Sequence, residues 1–237
     1  MKLLTYSLQS RPIGVSDGMR FASLLSILLI ACGSISAVVE LGADVSYFNP
    51  KLTAAVYPGL KTSETTGFSG PLFTGYGHLT FGLPKAITIG FGPTLAFSNQ
   101  TALDYPTGYT KEEMTVARFG LDGKVQLELL PFISPYIRVT AGKDWINWND
   151  KGTVGSSTYI ASSSAGGFYY SALVGAQFPF APEFALYAQV GFTASPGSAL
   201  VTKSYAVDGV NQTVNTSAAG STSYSGLLLS AGARLSF

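Results

Sequence analysis

Apolar and polar residues alternate along most of the chain with a period of two. Val39, Leu41, Ala43, Val45 and Tyr47 share one face, while Glu40, Gly42, Asp44 and Ser46 share the other. A repeat of two predicts a β-strand with one apolar and one polar side, because successive side chains leave a strand on opposite faces. The pattern recurs over residues 73–81, 87–97, 117–129, 136–144, 168–177, 184–193 and 226–237. The spacing therefore predicts eight strands. Most of the patterned cores are about 9 to 13 residues long, close to the ~9–11 residues that carry a tilted strand across a bilayer.

The connections alternate in length. Three are short and hold proline: Leu83-Pro84-Lys85, Leu130-Pro131-Phe132-Ile133-Ser134 and Pro179-Phe180-Ala181-Pro182. Proline fixes φ and removes a ladder donor, which suits a turn. The other four, about residues 48–71, 98–113, 146–167 and 195–221, read as long loops rich in Ser, Thr, Gly, Asn and Tyr. Short turns at one end and long loops at the other predict an all-β fold, a transmembrane eight-stranded antiparallel up-and-down β-barrel with both termini periplasmic. A soluble barrel alternates too. Apolar faces running through all eight strands, with Lys143 as their one charge near a strand end, favour the membrane form.

Composition narrows function. Charged residues make up 11% of the 237, against about 25% in a soluble domain, and the net charge is +1. Without a basic surplus, no nucleic-acid partner is expected. One Cys and one His supply neither a disulfide framework nor a His/Cys metal site, and no cofactor is expected. Asn147, Asn149 and Asp150 offer oxygen but lack the glycine and distal glutamate of a calcium loop. Three Asn-x-Ser/Thr sequons, at Asn99, Asn211 and Asn215, are read as accidents of polar loops in a bacterial-type export setting.

The first 37 residues read as a signal peptide. Residues 21–31 are apolar, Arg20 precedes them, and small residues follow, with cleavage after Ala37. Eleven apolar residues are too few for a spanning helix, which needs about 20. Met19 would open a signal of more ordinary length and is a candidate start. Leu29-Ile30-Ala31-Cys32 offers a rival, a lipobox in which Cys32 is acylated. Residues 38–237 would then form the barrel.

The chain ends in Phe237, preceded at every second position by Leu235, Ala233, Ala231 and Leu229. That row resembles the C-terminal signal read by the barrel assembly machinery of bacterial outer membranes. Residues 135–142, Pro-Tyr-Ile-Arg-Val-Thr-Ala-Gly, resemble a strand opening common there. On these residues the chain resembles the OmpA/OmpX/OmpW-like eight-stranded outer-membrane barrels over about residues 38–237. The resemblance implies an integral protein of the bacterial outer membrane, in contact with the bilayer and with lipopolysaccharide or an equivalent outer leaflet.

Function has to come from a site, and the candidate is the interior. Glu40, Asp44, Asp122, Glu128 and Asp144 are expected to point inward with Arg118, Lys124, Arg138 and Arg234. Eight strands leave a lumen just wide enough for side chains to fill. Opposite charges there should pair, because an unpaired buried charge costs several kcal/mol. One reading is a charge-paired plug inside a structural or surface-interaction protein whose loops meet an extracellular ligand. The other is a conduit for small solutes, hydrophobic ones on the OmpW-like resemblance, with Gly42, Gly90, Gly92, Gly120, Gly175, Gly226 and Gly232 leaving space on the same face. An enzyme is not expected, although some barrels of this size modify lipid. His78 is the single histidine, and no nucleophile is placed by motif to work with it. Trp145 and Trp148 are read as interfacial aromatics with Tyr47, Phe48, Phe97 and Phe168.

Overall fold

The computed structural model describes residues 37–54, 64–83, 86–103, 109–128, 130–213 and 220–237. The expected signal peptide except its last residue, Ala37, the start at Met19 and the lipidation at Cys32 lie outside these residues. Among the described residues there are nine strands: β1 (Ala37–Ala54), β2 (Glu64–Leu83), β3 (Ile87–Ala102), β4 (Tyr109–Leu127), β5 (Ser134–Val154), β6 (Ser157–Ala181), β7 (Phe184–Val207), β8 (Val210–Asn211) and β9 (Gly220–Ser236). Each of the eight long strands pairs antiparallel with its two neighbours, and β1 pairs with β9 to close the ring. β8 is a two-residue appendage on the end of β7. At the seam, Phe237 and Val39 exchange both backbone hydrogen bonds, at 2.9 and 3.1 Å. The barrel therefore has no open edge, which lipid would penalise heavily.

Parity sets polarity. In β1 the odd residues Val39, Leu41, Val45 and Tyr47 are exposed, and the even residues Glu40, Asp44 and Ser46 are buried. The alternation runs around the ring, with the parity reversed in β6 and β7, where odd residues such as Tyr169, Ser171, Tyr187 and Gln189 are buried, so large apolar side chains such as Phe91, Leu95, Phe119, Leu121 and Val174 cover the outer wall. Apolar outside and polar inside inverts a soluble barrel and is the arrangement of an outer-membrane β-barrel. The chain is an integral barrel of that type.

Three expectations need correction. The four long loops are mostly strand. β5 and β6 run on to Val154 and Ser157 and are joined by the two-residue turn Gly155-Ser156. Likewise β7 reaches Val207 and turns at Asp208-Gly209 into β8. Above the membrane the outer face no longer has to be apolar, so the strands carry Ser, Thr and Asn and read as loops in sequence. Second, Phe48 and Trp148 do not belong to the outer aromatic belt. Both keep even parity and are buried inside, whereas Tyr47, Phe97, Trp145 and Phe168 are exposed to the bilayer side. Third, Glu128 does not face the lumen. β4 ends at Leu127, and Glu128 lies exposed at the rim, accepting from Thr88 Oγ1 at 2.7 Å.

Candidate functional site

The interior is filled in layers. Nearest the termini, Glu40 on β1 receives Lys124 Nζ from β4 at 2.6 and 2.8 Å, and Arg234 Nη1 from β9 at 3.0 Å. Strand parity places all three inward, and the narrow ring brings non-adjacent strands into contact. His78 on β2 lies between two carboxylates, with Nδ1 3.8 Å from Glu40 and Nε2 3.6 Å from Asp122. Its ring lies 4.6 Å from that of Tyr76.

The next layer centres on Arg138 of β5. Its Nε donates to Asp122 Oδ2, and its Nη1 donates to Asp44 Oδ2 at 3.2 Å. Tyr187 and Gln189 from β7 also donate to Asp44 Oδ2, at 3.0 and 3.4 Å. The guanidinium lies 4.2 Å over the ring of Tyr76. Arg138, Asp44 and Asp122 thus each have an opposite charge within reach, and Asp44 has two neutral donors besides, which lowers the cost of burying them.

Glycines fit this layer rather than open it. A Cβ on Gly42 would strike the Tyr76 ring, one on Gly175 would come within 2.6 Å of the Tyr136 ring, and one on Gly232 within 2.5 Å of the Tyr187 ring. These are cross-strand partners: Gly42 faces Tyr76, Tyr136 faces Gly175, and Tyr187 faces Gly232. Each missing side chain makes room for a tyrosine lying flat across the neighbouring strand. Tyr187 contacts both Tyr76 and Tyr136 in edge or tilted geometry. At these three positions the space that glycine was expected to offer to a solute is occupied.

Above this layer lies a cavity of about 30 Å³ edged by Asp44, Arg118, Arg138 and several hydroxyls. Such a volume suits about two water molecules. Arg118 of β4 roofs it. Its Nη2 and Nε donate to Tyr224 OH at 2.6 and 3.1 Å, and that hydroxyl donates to Asp144 Oδ2 at 2.6 Å. The rings of Phe48, Tyr169 and Tyr224 lie 4.9–5.2 Å from the guanidinium carbon.

Beyond Arg118, away from the termini, the interior holds an apolar cluster alongside buried Gln100, Glu112 and Asp150. Phe48, Leu52, Phe68, Leu72, Met114, Val116, Ile146, Trp148 and Leu228 form one buried cluster there. The reading of the lumen as a purely ionic space missed it. The signal was present, because even parity continues through Phe48, Leu52, Met114 and Trp148 past Arg118 and Asp144. The same parity places Glu112 and Asp150 inside, facing each other across β4 and β5, and these two acids were also missed.

Of the nine charged residues expected inside, Glu40, Asp44, Arg118, Asp122, Lys124, Arg138, Asp144 and Arg234 are brought together, and Glu128 is not. Arg118 meets Tyr224 and the Asp144 side of the lumen, while Arg234 shares Glu40 with Lys124. Leu229, Leu235 and Phe237 stand on the outer wall at the closing seam, with Ala231 and Ala233 between them in the same row. Among the described residues, no group of three or more His, Cys, Asp or Glu side chains could hold a metal ion.

No protein-family model matches the chain, and no curated protein matches it. Solved structures do resemble it. A major outer membrane protein from Thermus thermophilus aligns with 16% identity over 85% of this chain and 100% of that one, with a TM-score of 0.47. Neisserial surface protein A aligns with 14% identity over 85% and 99%, with a TM-score of 0.45. The outer membrane protease OmpT from Escherichia coli aligns with 12% identity over 87% and 100%, with a TM-score of 0.38.

Proposed function

We propose that this eight-stranded outer-membrane barrel is a sealed, non-catalytic scaffold that presents its strand ends at the cell surface as an interaction platform. One observation carries the reading: the lumen is filled twice over, by the ion-paired layers around Arg138 and Glu40 and by the apolar cluster above Arg118. A conduit needs a continuous wet path, and an apolar constriction resists wetting. His78 is held among Glu40, Asp122 and Tyr76, inside the paired network and below the apolar cluster, where a substrate has no evident approach. On this reading the strands beyond the aromatic belt are the working surface. The partners are the bilayer, the lipopolysaccharide or equivalent outer leaflet, the assembly machinery that reads the seam row ending in Phe237, and a ligand at the hairpin tips.

A liposome-swelling assay tests it. Vesicles carrying the refolded barrel should swell in small sugars no faster than protein-free vesicles. Swelling that falls with solute size would favour the conduit instead. The surface role is tested separately by replacing the Gly155-Ser156 tip with a different two-residue turn, which should change binding to cells or matrix while the barrel still folds.

A further inference from the structure

Arg118 is a buried cation whose counter-charge is held at one remove. Nε and Nη2 both donate to the Tyr224 hydroxyl, and Asp144 lies beyond that hydroxyl. Among the described residues no carboxylate comes within ion-pair distance of its guanidinium, and only 4% of the residue is exposed. A guanidinium carries five N–H bonds, and the two on Nη1 meet no acceptor among the described residues. Arg138 edges the same cavity. It gives Nε to Asp122 and Nη1 to Asp44, which leaves Nη2 in the same condition.

The wall between the two arginines is rich in donors. Gly120 and Gly142 face each other across β4 and β5 and put no side chain into this level of the lumen. Tyr169, the partner of Gly142 on β6, covers part of the gap, with its hydroxyl 2.8 Å from where a Cβ of Gly120 would stand. Thr140 and Ser171 are direct partners on β5 and β6, and both are buried. The hydroxyls of Tyr169, Thr140 and Ser171 edge the cavity and have no hydrogen-bond partner among the described residues. The Asp44 carboxylate also edges it, but both of its oxygens are engaged. Ser46 donates to Oδ1, and Arg138, Tyr187 and Gln189 donate to Oδ2. A space of about 30 Å³ is thus ringed by two guanidiniums and three free hydroxyls, all able to donate.

We propose that this cavity binds a monovalent halide of chloride size, held between Arg118 and Arg138 with Thr140, Ser171 and Tyr169 as hydroxyl donors. A space for about two water-sized spheres admits a halide beside one water and is too small for a tetrahedral oxyanion. Water alone would answer the hydroxyls, which accept as well as donate, but it would leave Arg118 without a counter-charge. An anion satisfies both, through charge-assisted hydrogen bonds. In a closed barrel the ion is enclosed as the strands assemble, so it has to be supplied during refolding. The inference concerns the inner wall and stands whether or not the lumen conducts, so its failure would leave the sealed-scaffold reading standing.

The test refolds the barrel in sodium bromide, crystallises it and records diffraction at the bromine absorption edge. An anomalous peak is expected between Arg118 Nη1 and Arg138 Nη2, within reach of the Thr140 and Ser171 hydroxyls. No peak in crystals of the folded barrel, or peaks confined to its outer surface, would mean an adventitious ion only and would overturn the proposal. In micelles, the urea midpoint should be higher after refolding in sodium chloride than in sodium gluconate at equal ionic strength, and should climb with the logarithm of the chloride concentration. Thr140→Val/Ser171→Ala should raise the chloride concentration needed by about tenfold per hydroxyl removed, with heat-modified gel mobility reporting that the variant folds. Equal midpoints of the parent in the two salts would overturn the site. So would an unchanged chloride response in the folded variant, which would mark a general salt effect. If the variant does not fold, the bromide map of the parent decides alone.

Discussion

Arg138 carries more of the lumen than any other side chain. It holds Asp122 and Asp44 at once and lies over Tyr76. Replacing it by alanine leaves two carboxylates facing each other in a narrow, poorly hydrated space. The expected loss is about 3–5 kcal/mol, read as a lower urea midpoint for the refolded barrel in micelles. Arg138→Ala/Asp122→Asn should recover part of that loss, because one stranded charge is removed with its partner. An unchanged midpoint in Arg138→Ala would mean that water already screens these groups. Gly42 makes the companion case. The three atoms nearest to an added Cβ all belong to Tyr76. Gly42→Ala should cost about 1–3 kcal/mol by overpacking, and the cost should vanish when Tyr76 is also Ala. Persistence of the full penalty in the double variant would show that the ring is not what the glycine accommodates. Parity made eight lumen charges legible, because an inward position in a strand is simply every second one, and Glu112 and Asp150 continue the same rows unread. Their partners were not legible. Register between strands is not written in one strand's pattern, and the contact of Lys124 with Glu40 spans 84 residues. The tyrosine over each glycine is a cross-strand fact of the same kind.

At the scale of elements, strand cores were readable where lipid enforces an apolar outer face, and their extensions were not, because water enforces nothing comparable. Asp208-Gly209 is the exception that could have been read. Both residues have positive φ, 50° and 78°, as a two-residue hairpin turn requires, and Asp-Gly is a strong signal for it. The Asp208 carboxylate accepts from the Thr158 N–H at 2.7 Å and the Thr158 hydroxyl at 3.3 Å, tying the turn back to β6. The Thr158 backbone bond holds the Asp208 carboxyl below the ordinary carboxylate range. A lowered folded pKa gives stabilisation that is present above the unfolded value and lost as pH falls through the folded one. Hydrogen-exchange protection of the Thr158 amide should therefore drop in acid, and Asp208→Asn, which keeps the turn geometry, should flatten that dependence. Identical pH profiles in the two proteins would rule the clip out. The closing strand offers a second test. Phe237 completes the β1–β9 seam through two backbone bonds. Deleting it should lower the amount of heat-modifiable barrel in outer membranes while export continues, since an unpaired edge is costly in lipid. Undiminished levels would contradict the role assigned to that row.

The barrel is a closed ring that is apolar on its outer wall and packed inside. Its topology follows from eight strands with both ends of the barrel chain at one rim, so the Gly155-Ser156 turn lies at the opposite rim from Phe132 and Ile133. On intact cells, Ser156→Cys should react with an impermeant thiol reagent and Ile133→Cys should not, each judged against the parent chain; the reverse would invert the barrel. The account's central claim is that the lumen is shut, and single-channel recording in a planar bilayer tests it most directly. The refolded protein should give no discrete openings at moderate voltage in molar salt, and Arg138→Ala, still capped by the Phe48–Trp148 cluster, should stay closed as well. Stable unitary conductance in the unaltered protein, under conditions where heat-modified mobility shows it folded, would contradict the account and hand the function to the conduit.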